Sequence, residues 1–109
     1  MQATFKSPDT IKQVVVKDVV GLTKVLENVE LMQPIYRRFL RGKIVEATVK
    51  MEDHPDGVAV KGEQTKKWLY VEIRNDEGDT YEVALWKILR YADQYSTIYS
   101  ELSKYIEVV

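Results

Sequence analysis

A pair of alternating segments on either side of Asp76-Glu77-Gly78 constrains the fold of this 109-residue chain more than any other feature. Apolar and polar side chains alternate along residues 67–75 and again along 80–86, which is the period of a half-buried β-strand. A three-residue hairpin loop with Gly78 at positive φ fixes the register between them. The apolar residues then pair on one face: Ile73 with Tyr81, Val71 with Val83 and Leu69 with Leu85.

The same register gathers the remaining side chains on the reverse face. These are Trp68 with Trp86, Tyr70 with Ala84, Glu72 with Glu82 and Arg74 with Thr80. An open sheet that displays aromatic rings beside cations is suited to binding single-stranded nucleic acid, because each stacked base contributes about 1–3 kcal/mol. We therefore predict that Trp68 and Tyr70 stack bases. The nearby cations are Lys61, Lys66, Lys67 and Arg74. The alternative is that N-terminal helices cover this face and make it a second core.

The rest of the sheet is expected to be an antiparallel meander of three to four strands. Residues 43–51 alternate as a strand should, and residues 58–61 form a further short strand. The segment Glu-Asp-His-Pro-Asp-Gly at 52–57 predicts a turn between them.

Two helices are expected before the sheet. Asp18 is a candidate N-cap, and the apolar residues that follow it recur on one helical face. Pro34 disfavours helical geometry in the residue before it, so the first helix should end or kink there and a second should span residues 34–41. Two alternatives stay open for residues 7–16, since Ser7-Pro8 favours a helix start and Val14 to Val16 favour a strand.

A basic cluster closes the second of these helices. Arg37, Arg38 and Arg41 fall on the side opposite its apolar residues, and Lys43 follows. One explanation is structural, because cations near a helix C-terminus each contribute about 0.3–1 kcal/mol. The other is functional, because the planar guanidinium group suits phosphate and base contacts.

The C-terminal third carries heptad spacing, which predicts a long helix over residues 87–107. The helix packs on its own sheet in one interpretation and forms a homodimer in the other. The predicted dimer contacts are Ile88, Ala92, Tyr95, Tyr99, Leu102 and Ile106.

Composition and charge narrow the class of protein. Hydrophobic residues make up 45% and charged residues 30%, a balance typical of an ordered domain. The net charge of −1 combines +4 over residues 1–50 with −5 over 51–109, so nucleic-acid contacts would be local rather than histone-like. The absence of cysteine favours an intracellular, cytoplasmic location. No apolar run approaches the roughly 20 residues of a membrane span, so no membrane partner is expected.

Few residues suggest catalysis or metal binding. His54 lies among carboxylates, but their spacing matches neither a calcium loop nor a zinc site, so a solvated turn is expected. Glu72 and Glu82 face each other and could share a proton or an ion, although pairing with Arg74 and a lysine is the simpler expectation. Since the sequence has neither a Gly-rich phosphate loop nor a nucleophile elbow, we expect no enzyme activity, no cofactor and no metal.

The sequence as a whole predicts one α+β domain over residues 1–109. Its parts are N-terminal helices at about 18–41, an antiparallel meander at about 43–86 and a long C-terminal helix at about 87–107. The predicted function is non-enzymatic nucleic-acid binding, with single-stranded DNA or RNA preferred. The alternative is a homodimeric protein-interaction factor or inhibitor that acts through the tyrosine-rich C-terminal helix.

Overall fold

The structure, a computed structural model, describes residues 14–108 and combines four short α-helices with a five-stranded sheet. In chain order the elements are β1 (Val14–Val16), α1 (Val19–Leu26), α2 (Val29–Tyr36), β2 (Ile44–Val60), β3 (Lys66–Asn75), β4 (Thr80–Ala84), α3 (Leu85–Leu89), a 3₁₀ turn (Ala92–Gln94), α4 (Ser96–Ser103) and β5 (Ile106–Val108). The expected α+β class is present, but the expected architecture is not.

The sheet is mixed, so the predicted antiparallel meander is wrong. The strand order is β4-β3-β2-β1-β5, and β1 runs parallel to β2 while the other pairs are antiparallel. Val15 pairs with Ala59 on one side and with Glu107 on the other. The short valine segment therefore joins two parts of the chain that are distant in sequence. Its strand conformation decides the described part of the ambiguous N-terminal segment, and the predicted helix start at Ser7 lies outside the described residues.

The β3–β4 hairpin has the predicted register. Val71 pairs with Val83, and the four other predicted pairs from Tyr70 to Arg74 are also present. Gly78 has φ +89°, which is the left-handed conformation the loop requires. Asn75 stabilises the loop, because its side-chain oxygen accepts hydrogen bonds from the Glu77 and Asp79 N–H groups at 3.0 and 2.8 Å. The predicted pairs of Leu69 with Leu85 and Trp68 with Trp86 do not form, because β4 ends at Ala84 and α3 begins at once.

Strand β2 continues through the segment that was predicted to be a turn. Its pairing with β3 is interrupted after Asp53, which pairs with Lys67, and resumes at Val58, which pairs with the same lysine. The four residues between them, 54–57, form an extended bulge in β2. We refer to this segment as the β2 bulge.

The N-terminal helices divide at Asn28 and not at Pro34, so the predicted boundary is wrong. The Asn28 side chain accepts a hydrogen bond from the Leu31 N–H at 3.1 Å and begins α2, which continues past the proline to Tyr36. Asp18 is the N-cap of α1 as predicted, with its carboxylate accepting from the Gly21 N–H at 3.1 Å. A local cap thus decides the break that the proline was expected to cause.

The predicted long C-terminal helix is also wrong. Residues 85–108 form α3, the 3₁₀ turn, α4 and β5, and the chain leaves helical geometry at Tyr95, with φ −130° and ψ 77°. The changes in direction bury Ile88, Leu102 and Ile106 in one core, whereas a straight helix of that length would carry its ends away from the sheet. The β-branched end of the chain then pairs with β1.

One hydrophobic core joins the helices to a single face of the sheet. On β3 this inner face carries Leu69, Val71 and Ile73, all buried within a cluster that also contains side chains from all four helices. The opposite, outer face of β3 carries Trp68, Tyr70, Glu72 and Arg74. Within residues 14–108, no helix has the length and apolar character needed to cross a bilayer.

Candidate functional site

The charged half of the outer face consists of cross-strand ion pairs. The Arg74 Nε lies 3.2 Å from a Glu46 oxygen, and the Lys50 Nζ lies 3.2 Å from a Glu72 oxygen. These carboxylates neutralise the cations on this part of the sheet. Arg74, predicted to contact nucleic acid, is therefore already engaged, and Glu72 is neutralised by Lys50 rather than by Arg74.

Lys67 is also engaged. Its ammonium contacts Asp53 at 2.6 Å and Glu63 at 3.5 Å. The hydrogen bond from Lys67 lowers the pKa of the Asp53 carboxyl, and the same bond raises the pKa of the lysine. This pair ties the start of β3 to β2, immediately before the β2 bulge.

The two predicted stacking residues have different environments. Trp68 is 38% exposed, whereas Tyr70 is only 6% exposed and its ring centroid lies 5.0 Å from that of Trp68. The Tyr70 hydroxyl donates to a Glu52 carboxylate oxygen at 3.2 Å. Burial, followed by the Glu52 charge, raises the pKa of this phenol. Trp68 therefore presents an accessible ring, and the buried Tyr70 ring packs against it.

The β2 bulge forms one side of the site. The His54 ring packs edge-on against Trp68, with ring centroids 5.3 Å apart, and its Nδ1 accepts from the Asp56 N–H at 3.1 Å. Gly57 lies so close to β3 that a Cβ there would be 2.2 Å from the Lys67 carbonyl oxygen. The bulge therefore packs against the strand and holds His54 beside the indole.

A cleft of about 310 Å³ lies between the two tryptophans. We refer to it as the tryptophan cleft. Trp86, 39% exposed, stands in the first turn of α3 and lines the cleft together with Trp68 on β3. The other lining residues are His54, Asp56, Gly57, Val58, Leu69, Tyr70, Glu82, Ala84, Leu85 and Lys87. The cleft is at the small end of the range for ligand sites, about 300–1,000 Å³.

Two cations, Lys87 and Arg90, lie near the ring of Trp86. The Lys87 Nζ lies 5.6 Å from the Trp86 ring centroid and 5.9 Å from that of Tyr81, and the Arg90 guanidinium carbon lies 6.0 Å from Trp86. Tyr81 is itself 41% exposed. Sequence reasoning did not select Lys87 or Arg90, although both follow Trp86 by no more than about one helical turn.

The predicted basic cluster does not form one phosphate-binding face. The Arg38 guanidinium lies 4.5 Å from the Tyr91 ring centroid and donates to the Gln94 side-chain oxygen at 2.8 Å. It therefore connects the end of α2 to the 3₁₀ turn. Arg37 and Lys43 line a separate shallow depression, and Arg41 is exposed. Helix α2 has already ended at Tyr36, before any of these four residues.

The two remaining predicted cations, Lys61 and Lys66, are exposed on either side of the connection between β2 and β3. Lys61 follows β2, and its backbone N–H donates to the Val16 carbonyl oxygen at 2.9 Å. Lys66 lies at the start of β3, beside a depression that it shares with Asp53 and Thr65. Lys66 is thus two residues from Trp68, on the bulge side of the site.

The predicted dimer residues belong to the core of the chain itself. Ile88, Ala92, Leu102 and Ile106 are buried and are not accessible to a partner in this fold. Tyr95 and Tyr99 are half-buried, and the Tyr95 hydroxyl accepts from the Arg38 Nε at 3.3 Å. With the long helix absent, its predicted apolar face is absent too.

The carboxylates of the hairpin do not assemble into a metal site. Among residues 14–108 there is no group of three or more His, Cys, Asp or Glu side chains that could hold a metal ion. Over the same residues the Glu82 carboxylate makes no hydrogen bond or ion pair, whereas the carboxylate of Glu72, its cross-strand partner, is paired with Lys50. Searches against protein-family models, curated proteins and solved structures found no match.

Proposed function

We propose that the protein is a non-enzymatic module that binds single-stranded DNA or RNA at the tryptophan cleft. The observation that carries this proposal is the pair Trp68 and Trp86, each more than one third exposed and both lining one cleft. Large aromatic side chains are usually more deeply buried than this. Exposed rings at one end of a sheet suit base stacking, which contributes about 1–3 kcal/mol per base and tolerates any base sequence.

The positions of the unpaired cations suggest the path that the bound single strand takes over the surface. Lys87 and Arg90 lie beside Trp86, and Lys66 lies near Trp68. Arg90 and Lys66 are the proposed phosphate contacts, whereas Lys87 lines the cleft itself. Arg74 and Lys67 are excluded from this role because carboxylates already hold them. The strand is therefore proposed to cross the aromatic end of the outer face and to avoid its ion-paired end.

A protein partner is the second candidate, and strand β4 is the observation that favours it. In the described sheet β4 pairs only with β3, so one of its edges is free, and β4 and the helix that follows it carry the exposed rings of Tyr81 and Trp86. Free edges accept a further strand, and aromatic residues are enriched in interfaces. A homodimer and an intracellular location remain separate proposals. Light scattering at about 100 μM protein tests the homodimer.

The test is a titration with the single-stranded nonamer dT9, followed by tryptophan fluorescence over a series of salt concentrations. We expect quenching at low salt. Trp68→Ala and Trp86→Ala should each weaken binding by about 1–3 kcal/mol. In each variant the fluorescence of the remaining tryptophan still measures binding. Arg90→Ala should flatten the logarithmic salt dependence by about 0.7 for each phosphate that is no longer neutralised. Duplex DNA of the same length should bind more weakly, because its bases are already stacked.

Two control variants separate these effects from general surface changes. Met51→Ala removes an exposed apolar side chain of β2, and Lys24→Ala removes an exposed cation of α1. Neither lines the tryptophan cleft, so both should bind like the parent protein. The proposal fails if the oligonucleotide leaves the fluorescence unchanged at low salt. It also fails if Trp68→Ala binds no more weakly than Met51→Ala.

A further inference from the structure

We infer that the tryptophan cleft prefers guanine over the other bases, an inference that rests on the proposed nucleic-acid function. Two polar side chains at the cleft carry it, the Glu82 carboxylate on β4 and the Lys87 ammonium on α3. They offer an acceptor and a donor in the cleft that Trp86 also lines. Stacking holds any base, so selection has to come from these polar groups.

The Glu82 carboxylate is available to a ligand. Among residues 14–108 it makes no hydrogen bond or ion pair, although it lines the cleft and is exposed. Glu72 lies opposite on β3, but Lys50 holds it at 3.2 Å. Glu82 is fixed on a paired strand, whereas Asp56, the other carboxylate at the cleft, belongs to the β2 bulge. The strand position makes Glu82 the better-defined acceptor.

The Lys87 ammonium supplies the complementary donor. It lies over the rings of Trp86 and Tyr81 at 5.6 and 5.9 Å and forms no ion pair with Glu82. The two charges therefore do not neutralise each other at the rim. A base that stacks on Trp86 meets a cation and an anion at separate positions.

Guanine has the edge that matches this arrangement. Its Watson–Crick edge presents the O6 acceptor followed by two adjacent donors, N1–H and the N2 amino group. A carboxylate accepts from two adjacent donors at once, and an ammonium donates to O6. Cytosine and adenine place a ring-nitrogen acceptor beside their single amino group, and thymine or uracil places its one N–H between two carbonyls. Those three edges would each direct an acceptor at the carboxylate.

The experiment uses five single-stranded DNA nonamers of the form T4-X-T4, where X is guanine, adenine, cytosine, thymine or hypoxanthine. Hypoxanthine keeps O6 and N1–H but lacks the N2 amino group. We expect the guanine oligomer to bind at least about fivefold more tightly than the thymine oligomer, the lower limit for a bidentate base contact. Hypoxanthine should lose most of that preference. Guanosine monophosphate, tested alongside, shows whether the free nucleotide suffices.

The matched variants are Glu82→Gln and Glu107→Gln, which make the same change on β4 and on β5 at the opposite edge of the sheet. Glu82→Gln should abolish the guanine preference, and Glu107→Gln should retain it. Equal affinity for all five oligomers, or a preference that survives Glu82→Gln, overturns the guanine inference alone. If no oligomer binds, the proposed function fails as well. If guanosine monophosphate binds as tightly as the guanine oligomer, the guanine preference is supported and the proposed binding of single-stranded nucleic acid is contradicted.

Discussion

The inner and outer faces of strand β3 show how one alternating sequence serves two purposes. Leu69, Val71 and Ile73 on the inner face are buried against the helices, and the core cluster is continuous around them. On the outer face Trp68 is exposed, and Arg74 pairs with a carboxylate of the neighbouring strand. The inner face therefore supplies stability through apolar burial. The outer face is left with polar pairs and accessible rings, which contribute less to stability and are free to meet a ligand.

The largest expected effect comes from truncating the inner face. Ile73→Ala should lower the free energy of unfolding by about 2–5 kcal/mol, because it removes a fully buried side chain and leaves a cavity. Urea denaturation measures it. The control is Val20→Ala on the exposed side of α1, where a change within about 0.5 kcal/mol is expected. Equal losses in the two variants would contradict the assignment of the core.

The next effect concerns the β2 bulge, on which the cleft depends. Gly57→Ala would place a Cβ 2.2 Å from the Lys67 carbonyl oxygen, so the bulge must move away from β3. Overpacking of this kind costs about 1–3 kcal/mol. Urea denaturation and the contact of His54 with Trp68, followed by NMR, report the change. Gln64→Ala on the following connection is the control and should leave both unchanged. If Gly57→Ala changes neither the stability nor the contact of His54 with Trp68, the bulge is not packed against β3 as described.

The third effect is a pH dependence of the free energy of unfolding, caused by a buried tyrosine on the inner side of the sheet. Burial, with a smaller contribution from Glu27, raises the pKa of Tyr36, whose hydroxyl donates to the Leu26 carbonyl oxygen. Above the ordinary phenol pKa of about 10, the unfolded chain loses a proton that the folded chain keeps. The stabilisation is complete below that pH and is lost as the pH rises towards the higher folded pKa.

Tyr36→Phe tests this dependence directly. The loss of stability between about pH 10 and pH 11 should become shallower by up to about 1.4 kcal/mol per pH unit, the value for one proton. Urea denaturation over that range measures the slope. The same pair of proteins at neutral pH gives the cost of the missing hydrogen bond alone. An unchanged alkaline slope would mean that folding does not raise the pKa of Tyr36.

The smallest effect is expected on the outer face. Arg74→Ala breaks the ion pair with Glu46, but both side chains are about half exposed, so the loss should stay within about 0.5 kcal/mol. Denaturation at low and high salt checks it, since screening should remove what difference there is. A loss close to that of Ile73→Ala would mean that the two faces of β3 are not distinct.

The sequence alone determined the features that depend on neighbouring residues. The alternation of residues 67–75 and 80–84 and the glycine at 78 specified the hairpin and its register, and Asp18 marked the start of α1. The same register placed Trp68 on the outer face, but only the tertiary structure decided that the helices leave its ring exposed. Period, caps and turn residues act over a few positions, so a local pattern is enough to define them.

The tertiary structure decided everything that depends on distant partners. Val14–Val16 became a strand because β2 and β5 lie on both sides of it, and the heptad spacing of residues 85–108 was divided so that its apolar residues reach one core. The side chain of Arg38 turned to Tyr91, and the β2 bulge and α3 together enclosed the tryptophan cleft. These contacts join residues tens of positions apart. Their free energy comes from burial and pairing in the folded chain, which no local spacing encodes.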